Sequence, residues 1–160
     1  TLACLLMSSA VSFAETTAVD APQADAAILL EAIRTNRKAM VAVNLALSPE
    51  EAAKFWPLYE RFHKELNAIG DREGAIIVDY TTHFRDLSND TAMKLMDDYL
   101  KAQAERAKVR SAYLPEFAKI LPGRTVARFY QIENKMDAVI RYDLAATIPV
   151  VDEQATPSAK

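Results

Sequence analysis

Apolar residues recur every three or four positions along most of the chain between residues 25 and 150, which is the spacing of amphipathic helices. Four segments carry this pattern. The first runs from about residue 25 to 46, and the second starts at residue 49 and keeps helical register for about 40 residues. The third follows a break at residues 87–90, and the fourth opens after residues 121–123. The pattern predicts an all-α fold of four helices built around a long antiparallel hairpin.

Each segment has its own predicted apolar stripe. The first stripe consists of Ile28, Leu29, Ile33, Met40, Val43 and Leu47. The second consists of Phe55, Leu58, Tyr59, Phe62, Leu66, Ile69, Ile76, Ile77, Tyr80, Phe84 and Leu87. The third consists of Met93, Met96, Tyr99, Leu100, Tyr113, Leu114, Phe117 and Leu121. The fourth consists of Val126, Phe129, Tyr130, Ile132, Met136, Val139, Ile140 and Leu144.

The second segment begins with a clear helix-start signal. After Leu47, Ser48 is placed as the N-cap, Pro49 takes the first helical position and Glu51 lies at N3. Serine followed by glutamate three residues later is a capping box, and proline is tolerated at N1 because its missing N–H would be unpaired there. These residues therefore predict the start of the second helix.

Two further prolines, Pro57 and Pro115, fall inside the predicted second and third helices. Each lacks the N–H that would pair with the carbonyl four residues earlier, so each is expected to kink its helix. When the hairpin is folded about residue 89, the two prolines lie within about two helical turns of each other. We therefore predict a hairpin that bends as a unit.

The start of the second segment has an echo 74 residues later in the chain. The matched pairs are Leu47 with Leu121, Ala53 with Ala127, Lys54 with Arg128, and Phe55 with Phe129. Pro122 stands where Ser48 would be, so the echo repeats the apolar and basic positions but not the cap.

Composition supports the helical interpretation and limits the functional classes. The chain has only three glycines in 160 residues, fewer than turn-rich β-proteins need. The formal net charge of −3 predicts no general attraction to nucleic acid.

The first residues resemble the end of a secretory signal peptide. An apolar run ends at Ser12-Phe13-Ala14, with small residues at the −3 and −1 positions of a cleavage site. We therefore predict a signal peptide at residues 1–14, a flexible leader at 15–24, a helical domain at 25–150 and a disordered tail at 151–160. Cys4 leaves lipidation as an open alternative, although the apolar run continues past it. Cleavage after Ala14 gives an exported protein with no cysteine and no stable membrane insertion.

Motifs for catalysis and metal binding are not found in the sequence. His63 and His83 lie twenty residues apart on one predicted helix, about 30 Å, so they cannot share a metal within one chain. We interpret both as surface or boundary residues, with a site between two chains left open. Asp97 and Asp98 are spaced for i,i+4 ion pairs with Lys101 and Lys94. We predict no catalytic residue, no cofactor and no metal ligand.

The two arms of the hairpin differ in charge, because the third helix is mildly basic and the second is acidic. One explanation is mutual attraction of the arms; the other is a partner-binding surface on the third helix. Methionine adapts to irregular apolar partners, as the second explanation requires. The candidate surface consists of Met93, Met96, Tyr99, Lys101, Arg106, Lys108 and Arg110.

The export signal, the helical layout and the two leucine-initiated segments resemble the Spy/CpxP group, whose members carry an L-T-x-x-Q motif that usually occurs twice. The segment "LSPEE" at 47–51 is similar to that motif, with serine for threonine and glutamate for glutamine. The segment "LPGRT" at 121–125 departs further and keeps only its leucine.

The resemblance implies a bent helical protomer that forms a homodimer in the periplasm. It implies a non-enzymatic protein that binds unfolded or envelope proteins without ATP, or the periplasmic domain of a sensor kinase, through an amphiphilic concave surface. An accessory subunit with one dedicated envelope partner is the alternative function. Metal binding is a weaker one, because the histidine-rich segments of the zinc-binding members are missing here.

Overall fold

The computed structural model describes residues 36–151 and shows an all-α fold. Four helices make up most of this part, and it contains no strand. Helix α1 covers residues 36–45 of the described part, α2 is Pro49–His83, α3 is Asn89–Ala118 and α4 is Gly123–Thr147. The predicted signal peptide, the leader, residues 25–35 and the tail beyond residue 151 lie outside the described residues.

Successive helices run antiparallel. Between α2 and α3, Phe55 packs on Phe117 near the open end of the hairpin, and Glu73 accepts a hydrogen bond from Gln103 nearer the turn. Between α3 and α4, Phe117 packs on Phe129, and Gln103 accepts a hydrogen bond from Arg141. In both pairs one residue number rises as its partner falls, so α2, α3 and α4 alternate in direction. The antiparallel hairpin of α2 and α3 was predicted from the sequence.

The predicted helix start at residue 48 is confirmed. The Ser48 hydroxyl accepts from the Glu51 backbone N–H at 3.3 Å, and the Glu51 carboxylate accepts from the Ser48 N–H at 2.9 Å. Ser88 caps α3 in a simpler way: its hydroxyl accepts from the Thr91 backbone N–H, and there is no reciprocal side-chain bond to the Ser88 N–H in this part of the chain. Helix α4 begins after Pro122 without a side-chain cap, so the echo lacks the capping box, as predicted.

Two predicted boundaries were wrong. Helix α2 ends at His83, so Phe84 and Leu87 lie in the connection to α3 instead of on a helical stripe. Leu121 lies beyond the end of α3, in the connection to α4. Apolar spacing continues through both connections because their apolar side chains also pack inward. Pro57 and Pro115 lie inside α2 and α3, and the bend at these residues stays a prediction.

The core is centred on four fully buried phenylalanines. Phe55 and Phe62 come from α2, Phe117 from α3 and Phe129 from α4. Phe117 and Phe129 have ring centroids 4.7 Å apart, and Phe55 meets Phe129 edge to face at 5.2 Å. Edge-to-face and tilted packing suits the quadrupoles of aromatic rings. This cluster therefore joins three of the helices at one end of the hairpin.

The predicted stripe of the first helix was wrong in one respect. Val43 is 81% exposed, whereas Val41 and Leu45, four residues apart, are buried. Residues at this separation share a face, and here that face packs on the core cluster. The sequence allowed either apolar face because α1 has apolar residues on both.

The stripe predicted for the third helix was also wrong at several positions. Leu95, Ala102 and Phe117 are the residues that α3 buries. The larger apolar side chains on the other face are exposed, namely Met93, Met96, Leu100 and Leu114. At about 100° per residue, their face lies roughly 120° from the buried one. Helix α3 therefore presents apolar residues to solvent along much of its length.

We expect Phe62→Ala to lower the free energy of unfolding by about 3–5 kcal/mol, because it removes a fully buried ring and leaves a cavity among its neighbours. The measurement is urea unfolding followed by circular dichroism. Tyr142→Ala is the control, since Tyr142 is 77% exposed and should change stability by no more than about 0.5 kcal/mol. Equal losses in the two variants would contradict the assignment of the core.

Candidate functional site

Glu133 is the most deeply buried charged residue in the described part of the chain, with no exposed surface. Its Oε2 accepts hydrogen bonds from Arg37 of α1, at 3.1 Å from Nε and 2.6 Å from Nη2. Its Oε1 lies 3.3 Å from Nε2 of His63 on α2. One carboxylate on α4 thus joins α1 and α2 by charge-assisted hydrogen bonds, which are stronger than those between neutral groups.

Asp137, one helical turn after Glu133, forms a second junction. Its Oδ1 accepts from Arg37 Nη2 at 2.6 Å and lies 3.4 Å from Arg106 Nη2. Its Oδ2 accepts from Arg110 Nη1 at 3.1 Å. Arg106 and Arg110 both come from α3, so Asp137 links α1, α3 and α4 through three guanidinium groups.

The protonation of both carboxyls is set by these partners. Burial opposes the charged form of Glu133, but the hydrogen bond to His63 and the charge of Arg37 outweigh it and hold its pKa below the ordinary value of 4.5. Burial also opposes the charge of Asp137, and Arg37 again outweighs it, so the pKa of Asp137 lies below 3.8. Both groups are therefore charged at neutral pH.

The interpretation of His63 as a surface or boundary residue was wrong. Its side chain is buried, with its ring 4.2 Å from that of Tyr59 and edge-on to Phe62. His83 is exposed and contacts Asp79. The sequence held a signal for the buried histidine, because residue 63 follows Tyr59 by four positions and so shares its face.

The sequence analysis did not single out Glu133. Its position follows Phe129 by four and precedes Met136 by three, so it lies on the apolar face of α4. A single charge in the middle of an apolar stripe marks a group that needs a buried partner. Periodicity alone does not identify that partner, since Arg37 is 96 residues away in the chain.

The residues of the predicted partner surface on α3 divide between two faces. Met93, Met96, Lys101 and Lys108 point to solvent. Tyr99 is half-buried, whereas Arg106 and Arg110 are mostly buried and tied to Asp137. The buried arginines of α3 thus pair mainly with a carboxylate of α4, Asp137. Their described ion pair with α2 is the 3.8 Å contact between Arg106 and Glu73.

The exposed apolar and small residues of α3 form a continuous strip, called here the outer stripe. It consists of Met93, Met96, Leu100, Ala104, Ala107, Ser111, Leu114 and Ala118. At about 100° per residue these positions fall within an arc of roughly 80°. Asp97 and Lys101 border the stripe near its start and form an ion pair with each other. Lys94 and Asp98 form a second ion pair. The sequence predicted both pairs.

The residues matched by the echo have structural roles. Phe55 and Phe129 pack against each other in the core, and Leu121 is buried beside them. Arg128 donates from Nε to the backbone carbonyl of Asn44 at 2.7 Å. This bond pairs a carbonyl in the last turn of α1, which lacks an intrahelical partner.

Within residues 36–151, no group of three or more histidine, cysteine or acidic side chains is placed to hold a metal ion. In the same part of the chain, no helix combines the length and the apolar character needed to cross a membrane. Comparison of the chain with family models, with curated proteins and with solved structures gives no match.

We expect Glu133→Gln to lower the free energy of unfolding by about 3 kcal/mol, because it leaves the buried Arg37 guanidinium with a weaker acceptor. Urea unfolding at pH 7 measures this. Glu50→Gln is the matched control, since exposed Glu50 pairs among the described residues with Lys54 alone, and its loss should change stability far less. Similar losses in both variants would contradict a structural role for Glu133.

Stability should fall as the solution is acidified. The folded-state pKa values of Glu133 and Asp137 lie below their ordinary values, so the unfolded chain binds more protons in acid. The stability that the two charged carboxylates contribute is fully present above about pH 4.5. It is lost as the pH falls through their folded-state pKa values. Urea unfolding from pH 7 to pH 3 should show a steeper decline in the parent than in Arg37→Met. Equal slopes would rule out Arg37 as the cause.

Proposed function

We propose that this chain is a non-enzymatic helical protein that binds other polypeptides through the outer stripe of α3, and that it acts in the periplasm after export. The observation that carries the proposal is the exposure of the outer stripe on a helix whose opposite face is buried. Met93 is 71% exposed and Leu100 is 58% exposed. Contiguous exposed apolar surface is a mark of interaction sites.

The chemistry of the outer stripe favours weak and adaptable contacts. Met93 and Met96 are flexible and polarisable, and so can fit apolar side chains of different shapes. Alanines at 104 and 107 leave the middle of the stripe shallow, which allows a partner backbone to approach. Lys101 and Lys108 flank the stripe and remain solvated. An ATP-independent chaperone, or a modulator of an envelope-stress sensor, needs a surface of this kind.

The resemblance to the Spy/CpxP group in the segment at residues 47–51 supports the same proposal, as does the predicted signal peptide. The segment starts α2 and leads into the aromatic core. Its role in this chain is to build the scaffold, so the proposed binding function is assigned to α3 and not to the motif.

The second candidate function is an accessory subunit with one dedicated envelope partner. The ordered ion pairs along one side of the outer stripe's first half favour it, because fixed charges specify a partner better than loose apolar contacts do. Such a subunit would form one stable complex recovered from the envelope, and would have no general effect on aggregation.

We expect the protein, at equimolar amount and without ATP, to slow light scattering by an unrelated protein that unfolds and aggregates. The double variant Met96→Lys/Leu100→Lys should lose most of this effect, because two charges interrupt the outer stripe. Val43→Lys is the matched control, since Val43 is equally apolar and 81% exposed but lies on α1.

The chaperone form of the proposal fails if several-fold excess of the parent leaves aggregation unchanged. The assignment to α3 fails if Val43→Lys loses as much activity as the double variant. Both comparisons require that circular dichroism shows the variants to be folded.

A further inference from the structure

The groove between α3 and α4 carries an excess of positive charge. It has a volume of about 320 Å³. Its lining residues are Gln103, Arg106, Ala107, Arg110, Asn134, Asp137, Ala138 and Arg141. Three arginines therefore face one carboxylate, and that carboxylate also accepts a hydrogen bond from Arg37. The groove is locally basic although the whole chain has a net charge of −3.

The guanidinium groups of this groove have hydrogen-bonding capacity that the described residues do not use. Each guanidinium carries five N–H donors. Arg141 donates to the neutral amide oxygen of Gln103 at 2.8 Å and has no carboxylate partner within residues 36–151. Among the described residues, Arg106 makes only long contacts with Asp137 and Glu73, at 3.4 and 3.8 Å, and its buried Nε has no acceptor there. The groove is thus rich in donors and short of acceptors.

We propose that this groove binds the carboxylate of an acidic side chain in the partner polypeptide. Planar guanidinium groups match a carboxylate in geometry and charge, and Ala107 and Ala138 leave room between them. Ala107 also belongs to the outer stripe, so the groove borders the surface assigned to apolar contacts. A segment that places apolar side chains on the outer stripe therefore brings a neighbouring acidic residue to Arg141, since Arg110 already donates to Asp137 and Asn134.

This inference rests on the proposed function, and it deepens that function by naming the partner's chemistry. The preferred partner segment is apolar with an acidic residue at one edge. A nucleic acid is a poorer fit, because the groove is short, the adjoining stripe is apolar and the chain is acidic overall.

The first experiment tests the groove alone. N-acetylglutamate methylamide is titrated into the folded protein while the arginine Nε–Hε signals are followed by NMR, with the glutamine analogue as control. We expect the acid, and not the amide, to shift the signal of Arg141. The proposal is overturned if the two compounds give equal shifts, or if inorganic phosphate binds more tightly than the acid.

The second experiment tests whether one peptide binds the groove and the outer stripe together. Two fluorescent 15-residue peptides differ only in one glutamate or glutamine beside an apolar run, and their binding is measured by polarisation. We expect the acidic peptide to bind the parent about tenfold more tightly, as one charge-assisted bidentate contact implies. Arg141→Gln should reduce the preference to about twofold. Lys64→Gln, the same loss of one positive charge at an exposed position on α2, should keep most of it.

The outcomes separate the two proposals. If the small acid binds but neither peptide does, the carboxylate site stands and the proposed function fails. If both peptides bind equally, the proposed function stands and the carboxylate site is overturned. If Arg141→Gln and Lys64→Gln remove the preference equally, general charge attraction replaces the site. If the parent dimerises without peptide and Arg141→Gln abolishes the dimer, the occupant is a second copy and the assignment to a partner polypeptide is wrong.

Discussion

The complete burial of the Glu133 carboxylate is the constraint on which the arrangement of the helices depends. An unpaired charge in that position would be very costly, so its partners must come from neighbouring helices. Arg37 of α1 and His63 of α2 meet it directly, and Asp137 extends the same network to α3. The apolar cluster around Phe129 contains most of the buried side chains of the core. The ionic network determines which faces of α1 and α4 meet.

This constraint also determines what α3 leaves exposed. Arg106 and Arg110 reach Asp137 only if their side of α3 turns toward α4. With that side buried beside Leu95, Ala102 and Phe117, the methionines and leucines of the opposite side have no described partner. The same rotation places Arg141 next to the outer stripe across the α3–α4 groove. The proposed binding surface and carboxylate site thus follow from one helix orientation.

Features that depend on residues close together in the sequence were predicted correctly, and contacts between residues far apart in the sequence were not. The four helices, the capping box at Ser48 and the uncapped start of α4 were all predicted, because caps and periodicity act within a few residues. The outward face of α3 was assigned wrongly, since the sequence has large apolar residues on both sides of that helix. His63 and Glu133 lie 70 residues apart, and only tertiary packing brings them together.

A double-mutant cycle between Arg37 and Glu133 tests the central claim most directly. Urea unfolding is measured for the parent, Arg37→Met, Glu133→Leu and the double variant. Arg37→Met leaves the buried Glu133 with His63 alone, and Glu133→Leu leaves Arg37 with Asp137 alone, whereas the double change removes both charges. The account predicts that the double variant is more stable than the sum of the single losses implies, by about 2 kcal/mol or more. Additive losses, within about 0.5 kcal/mol, would contradict it.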